Sequence, residues 1–74
     1  MHKQQTHEHI VPIEGFKDYG DWFDIHQSIV GPWLKEHTTG RWCASFSKSH
    51  FTNAGIATYE FSDLQDAALF RLRF

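Results

Sequence analysis

The sequence predicts an α+β domain of the ferredoxin-like type, in which a βαββαβ chain forms a four-stranded antiparallel sheet with two helices on one face. Apolar residues recur at helical spacing between positions 18 and 30, and alternating apolar and polar runs follow at 41–48 and 56–61. A further alternating run ends the chain. The 74 residues leave room for one domain, which we assign to 9–74, with 1–8 as a flexible polar terminus.

The residue pattern in the first half of the domain predicts a strand followed by a helix. Residues 9–14 are rich in β-branched side chains. Because proline cannot donate a ladder hydrogen bond, this strand either has a free edge at Pro12 or begins near it. Asp18 is a suitable N-cap for the helix, which the Gly-Pro pair after residue 30 should end. His26 lies in the apolar stripe of this helix, where we expect a hydrogen-bonded boundary histidine, with a pH-sensitive contact as the alternative.

The two alternating runs predict a hairpin whose aromatic face is turned towards the helices. A sheet that is covered on one face must present its large apolar side to the covering layer. The opposite face is then polar and open to solvent, without the exposed rings on which RNA-recognition sheets stack bases. The rings expected beneath the helices are those of Trp42, Phe46, Tyr59 and Phe61.

The C-terminal part predicts a second helix and a last strand. Residues 62–65 have the form Ser-x-x-Gln of a capping box and precede Ala-rich sequence, so a short helix should run through about Leu69. Residues 70–74 alternate between apolar and basic side chains, which is typical of a strand. Arg71 and Arg73 would then lie on the open face of the sheet.

Composition favours a cytoplasmic protein. The formal charge is −2, whereas nucleic-acid-binding domains normally carry a basic surplus. No apolar run reaches the ~20 residues of a membrane-spanning helix, and the polar start lacks the apolar core of a signal peptide. Cys43 is the single cysteine, which fits a reducing compartment.

The sequence predicts no catalytic residue, no cofactor and no metal site. His7 and His9 would share one side of a strand, a geometry that zinc could use, but no cysteine pair or helical histidine spacing joins them. The neighbours of Cys43 offer no activation of its thiol, and Ser45 and Ser47 lack the glycines of a nucleophile elbow. We therefore expect a non-enzymatic protein.

Two charged patches and one loop residue are candidate contacts for a partner protein. Three aspartates make the start of the first helix acidic, and two arginines occupy the tail; either patch alone is more often only solvated surface. Phe51 lies out of phase in the hairpin loop, where it is either tucked back or offered to a partner. The candidate partner-binding residues are Asp18, Asp21, Asp24, Phe51, Arg71 and Arg73.

Residues 61–72 carry the pattern Phe-x-Asp-x-x-Asp-Ala-x-x-Phe-x-Leu, after a central segment that contains Gly31-Pro32-Trp33 and Trp42. This combination resembles the ending of short uncharacterised proteins encoded by tailed bacteriophages and covers about a third of the chain. The resemblance implies a setting in the host cytoplasm, where such small domains commonly bind and inhibit a host enzyme or defence complex. It implies no catalytic residues.

The sequence therefore predicts a small phage-type inhibitor or adaptor that binds a host protein. Two alternatives remain open. One is a nucleic-acid-binding module that uses Arg41 and the tail arginines, which the negative charge argues against. The other is a homo-oligomeric structural protein whose exposed edge strands pair between copies.

Overall fold

The computed structural model describes residues 8–74. Its antiparallel sheet has three strands in the order β1-β3-β2. They are β1 (His9–Phe16), β2 (Trp42–Lys48) and β3 (Gly55–Phe61). The predicted α+β class is confirmed, and the predicted N-terminal segment lies outside the described residues apart from its last residue.

The first helical region is longer than the predicted helix. Three segments follow one another without a break and together form what we call the long helix. They are α1 (Tyr19–Ile25), a π-helical turn (His26–Val30) and α2 (Gly31–His37). The predicted stop at Gly31 is wrong because Pro32 lies in the first turn of α2, where its missing N–H is tolerated.

The predicted N-cap of the long helix is confirmed. The Asp18 carboxylate accepts a hydrogen bond from the backbone N–H of Asp21 at 2.9 Å. In return, the Asp21 carboxylate accepts from the backbone N–H of Lys17 at 3.1 Å. The first bond satisfies a backbone donor that the first turn would otherwise leave unpaired, and the second satisfies the N–H of the residue before the cap.

The aromatic face of the β2–β3 hairpin points towards the helices, as predicted. Tyr59 and Phe61 are fully buried, and Trp42 and Phe46 are half-buried and pack against the same core. The ring of Phe70 lies over the hairpin, with its centroid 4.8 Å from that of Tyr59. The core is therefore a layer of rings between the sheet and the two helices.

The predicted last strand is wrong, because residues 70–74 continue the second helix, α3 (Leu64–Arg73). Ala67, Phe70 and Phe74 recur at intervals of three and four, so the same residues also fit one helix face. Asp63 caps this helix by accepting from the backbone N–H of Gln65 at 2.9 Å. No fourth strand exists among residues 8–74, so the four-stranded ferredoxin-like sheet is not formed there.

This ending leaves β1 and β2 as the two edges of the sheet. The long helix meets the inward-facing rings of β2, where Trp22 stacks on Phe46 and His26 lies against Trp42, and α3 lies beside β1. None of the helices in the described part of the chain is both long and apolar enough to cross a membrane.

Candidate functional site

On its outer edge, the strand β2 presents backbone groups that no other strand of residues 8–74 pairs. The N–H of Ser62 donates to the carbonyl of Arg41 at 3.0 Å, and the N–H of Ser49 donates to the carbonyl of Ala54 at 2.9 Å. Hydrogen-bonded residues alternate along an antiparallel strand, so the odd-numbered residues of β2 direct their backbone groups at β3. The groups directed away from the sheet belong to Trp42, Ala44, Phe46 and Lys48.

The other edge strand, β1, is interrupted. By the same alternation its outward groups belong to Ile10, Pro12 and Glu14, so the proline removes the middle N–H. A bulge shifts the pairing between Glu14 and Phe16, and Gly15 there has φ +103°. Proline and bulges are the devices that keep sheet edges from pairing. No proline, glycine or charged residue interrupts 42–47 on β2.

A groove of about 490 Å³ lies between Trp42, at the start of β2, and the long helix. That volume falls within the roughly 300–1,000 Å³ of ordinary ligand pockets. Its apolar walls are the side chains of Phe23, Pro32 and Trp42, and its polar side chains are those of His26, Gln27 and Lys35. Lys35 makes no ion pair within residues 8–74, so its ammonium group is available to an occupant of the groove.

The imidazole of His26 is held by the hydroxyl of Tyr59. The indole N–H of Trp22 donates to the Tyr59 oxygen at 2.9 Å, and Nδ1 of His26 lies 2.8 Å from that oxygen. All three groups are satisfied when the Tyr59 O–H donates to Nδ1, which places the histidine proton on Nε2. Burial lowers the pKa of His26 and raises the pKa of Tyr59, so both are neutral at pH 7.

The predicted hydrogen-bonded histidine is therefore confirmed, and a glycine leaves room beside it. A Cβ at Gly31 would lie 3.0 Å from the carbonyl oxygen of His26 and 3.6 Å from its Nε2. Gly31 follows the π-helical turn, an irregularity that is frequent at functional sites. The Nε2–H group can consequently act as a hydrogen-bond donor towards the groove.

Two exposed rings extend the apolar wall of the groove towards the start of the long helix. Tyr19 and Phe23 are stacked, with centroids 5.9 Å apart and an interplanar angle of 12°. Their exposed fractions are 56% and 42%. Tyr19 also meets the ring of Phe46 edge-on, with 5.7 Å between centroids. An apolar strip therefore follows the β2 side of the long helix.

The predicted partner-binding residues fall into two groups in space. Asp18, Asp21 and Asp24 lie at the start of the long helix, where the first two also serve as caps. Phe51 lies in the β2–β3 loop and is 97% exposed, so it is offered to solvent and not tucked back. Phe16 and Lys48 both pair with Gly55, so the hairpin loop and the helix start share one end of the molecule.

The two predicted arginines lie elsewhere. Arg71 and Arg73 belong to the last turn of α3, so the prediction that they occupy the open sheet face is wrong. Arg71 borders β1 beside Val11 and Ile13. The structure does not bring these two side chains to the groove beside β2.

Sequence reasoning missed the groove because its walls come from distant segments. Phe23 and Trp42 are 19 positions apart in the sequence, and their proximity depends on how the long helix crosses β2. The π-helical turn leaves no distinct sequence signal beyond the Gly-Pro pair. Of the residues that line the groove, the sequence pattern singles out only His26, as a polar residue within an apolar stripe.

Cys43 lies on the open face and is exposed. Burial and the neighbouring Glu60 carboxylate raise the pKa of its thiol, which lowers the fraction of reactive thiolate. Among residues 8–74, no three histidine, cysteine or acidic side chains are grouped so that they could hold a metal ion.

No protein-family profile, curated protein sequence or solved structure matches the chain.

Proposed function

We propose that this chain is a small non-enzymatic protein-binding domain that takes up an extended segment of another protein along β2. The observation that carries this proposal is an uninterrupted strand edge that no other strand of residues 8–74 pairs, with an apolar groove at its Trp42 end. Exposed edges of this kind are templates for an added strand. The edge of β1, which Pro12 interrupts, lacks this continuity.

Each part of the site supplies a different part of recognition. The outward N–H and C=O groups of Trp42, Ala44 and Phe46 would bond the backbone of the added segment, which provides affinity without regard to its sequence. Side chains of an added strand alternate between the two faces of the sheet. A helix-side side chain next to Trp42 would meet the groove, where Phe23 and Trp42 favour apolar groups and Lys35 favours a carboxylate.

The resemblance to tailed-phage proteins suggests where the domain acts and which class of partner it binds. The partner is a host protein in the bacterial cytoplasm, and the domain acts on it as an inhibitor or an adaptor. A strand added to β2 would withdraw a segment of the partner from its own contacts. That mode of action requires no chemistry from the domain.

The distribution of rings supports a protein partner over a nucleic acid. Base stacking requires rings on an accessible sheet face, whereas the rings of β2 and β3 are turned towards the helices. The open face carries Ile10, Pro12, Glu14, Cys43, Ser45, Ser47, Ile56, Thr58 and Glu60. A low-salt mobility-shift assay distinguishes the two classes, because a nucleic-acid module would bind tightly and with strong salt dependence.

Selection from a display library of random peptides about ten residues long, roughly the length of a long strand, tests the proposal. The bait is the dilute full chain. Selected peptides should bind the native protein and lose binding to Ala44→Pro, which removes an outward N–H from β2. Ile10→Pro is the matched control, because it removes an outward N–H from β1 and should leave binding unchanged.

Amide hydrogen exchange on the native protein provides a second measurement that does not depend on the folding of a variant. A bound peptide should slow exchange at the backbone N–H groups of Trp42, Ala44 and Phe46, and leave those of Ile10 and Glu14 unchanged. Failure to select any peptide would overturn the proposal. So would peptides that bind Ala44→Pro as tightly as the native chain, provided that the variant is folded.

A further inference from the structure

We propose that, when no other protein is bound, the β2 edge is occupied by the β2 edge of a second copy of this chain. The two strands pair antiparallel about a two-fold axis at Ser45 and join two three-stranded sheets into one. Self-pairing then closes the edge until the copies separate. This regulatory consequence rests on the proposed function, whereas the self-pairing itself can be tested separately.

The backbone of β2 is compatible with its own copy in this register. An axis at Ser45 places each even-numbered residue opposite another even-numbered residue. These are the positions whose N–H and C=O groups point outward, so they form hydrogen-bonded pairs. The ladder would include Trp42 to Lys48, which is the whole of β2.

The side chains of β2 also complement each other in this register. On the helix side, the large ring of Phe46 lies opposite the small Ala44 of the second copy, and Trp42 lies opposite Lys48. On the open face, Cys43 lies opposite Ser47, and Ser45 faces its own equivalent. Like charges directly opposite each other destabilise a strand pair, and this register contains none.

The charges along the long helix favour the same arrangement. Its start is acidic, with Asp18, Asp21 and Asp24, whereas near its end Lys35 lines the groove and Glu36 lies 3.6 Å from His37. The two-fold axis makes the long helices of the two copies antiparallel. The acidic start of each helix therefore runs along the end that carries Lys35 in the other copy, which steers association.

The exposed apolar strip and the size of the domain add a reason for association. Tyr19 and Phe23 flank β2 and would be shielded by the second copy. A domain of 74 residues builds a limited core, and such domains commonly gain stability from association. Because Pro12 and the bulge at Gly15 interrupt the edge of β1, pairing through β2 alone gives a closed dimer and not a fibre.

Sedimentation equilibrium of the full chain over a range of concentrations tests the association. We expect a reversible monomer–dimer equilibrium of the 8.7 kDa chain, which Ala44→Pro shifts to monomer and Ile10→Pro leaves unchanged. Addition of a peptide selected against β2 should also shift the native chain to monomer. A native chain that remains monomeric at every concentration overturns the proposal.

Disulfide trapping tests the register. In the pair, the two Ser45 Cα atoms are about 4.5 Å apart, within the reach of a disulfide. The two native Cys43 residues are separated by about 13 Å along the strands, which is beyond that reach. With oxidised glutathione, the Cys43→Ser/Ser45→Cys double variant should form a covalent dimer roughly a hundredfold faster than the native chain, because pairing raises the effective thiol concentration.

The native chain is a matched control, since both proteins carry one cysteine on the open face of β2. Each rate is divided by the reaction rate of that thiol with a small aromatic disulfide, which corrects for intrinsic reactivity. Equal corrected rates, or a faster native rate, overturn the proposed pairing. If the chain binds peptides but never dimerises, the proposed function stands and the self-pairing is wrong. If a dimer is trapped but no peptide binds, the self-pairing stands and the proposed function is wrong.

Discussion

The two edges of the sheet illustrate how one small domain can keep one strand closed to partners and another open. On β1, Pro12 removes an outward N–H and a bulge follows at Gly15. On β2, every outward group from Trp42 to Phe46 is intact, and a groove lies at the Trp42 end. Unprotected edges are an aggregation hazard, which is a further reason for our proposal that this open edge binds a partner.

The largest difference in the free energy of unfolding should appear between proline substitutions at two neighbouring residues of β2. Ser45→Pro removes an N–H that bonds β3 and should lower the free energy of unfolding by about 3 kcal/mol. Ala44→Pro removes an outward N–H and should cost less than about 1 kcal/mol. Urea denaturation of both variants measures the difference. Equal losses would contradict the assignment of which groups of β2 face outward.

Removal of the Tyr59 hydroxyl should cause the next largest loss in the free energy of unfolding. Tyr59→Phe leaves the indole N–H of Trp22 and Nδ1 of His26 without a partner, since both meet that oxygen. An unsatisfied buried polar group costs about 1–3 kcal/mol. Tyr19→Phe is the matched control, because Tyr19 is exposed and its change should stay within about 0.5 kcal/mol. Similar values for the two variants would argue against a rigid hydrogen-bonded support for the groove.

Stability should also depend on pH through His26. Burial lowers the pKa of His26 in the folded state below the ordinary value of a histidine side chain. Between the folded and unfolded pKa values the unfolded chain binds more protons, so the free energy of unfolding falls as the pH falls through that window. His26→Gln should flatten this dependence, whereas His50→Gln in the exposed hairpin loop should leave it in place. Thermal unfolding followed from pH 7.5 downwards measures the difference, and an unchanged slope in His26→Gln would exclude this histidine as the cause.

Repair of the β1 edge should change stability least. Pro12→Val restores the missing outward N–H and should alter the free energy of unfolding by less than about 1 kcal/mol. Its main expected effect is association through a second edge, so light scattering should detect species larger than a dimer. Pro12→Gly/Ile10→Pro keeps an interruption on β1 and serves as the control. A strictly dimeric Pro12→Val would show that Pro12 is not what closes this edge.

The sequence was sufficient where a pattern extended over many residues. The alternation along β2 and β3 placed Trp42 and Tyr59 on the helix side because one face of a covered sheet has to be apolar. The cap at Asp18 followed from its side chain and its position before an apolar stripe. These are local rules, and the structure obeys them.

The sequence could not distinguish a strand from a helix where a short run of residues fits both the two-residue period of a strand and the 3.6-residue period of a helix. Residues 70–74 alternate, yet Phe70 and Phe74 are also one helical turn apart, and packing against Tyr59 and Trp33 favours the helix. The end of the long helix was missed because a π-helical turn accommodates Pro32. The groove could not be predicted, since it depends on tertiary placement of Lys35 against Trp42.

The buried carboxylate of Asp66 determines where the chain can accept inserted residues without loss of the fold. It accepts hydrogen bonds from the backbone N–H groups of Thr39 at 3.1 Å and Gly40 at 2.8 Å, and so anchors the turn before β2 to α3. The hairpin turn around Phe51 lacks such an anchor to a helix and projects into solvent. Foreign sequence grafted into that outer turn should be displayed without loss of the fold, whereas the same graft beside Thr39 would dislodge the strand that carries the open edge.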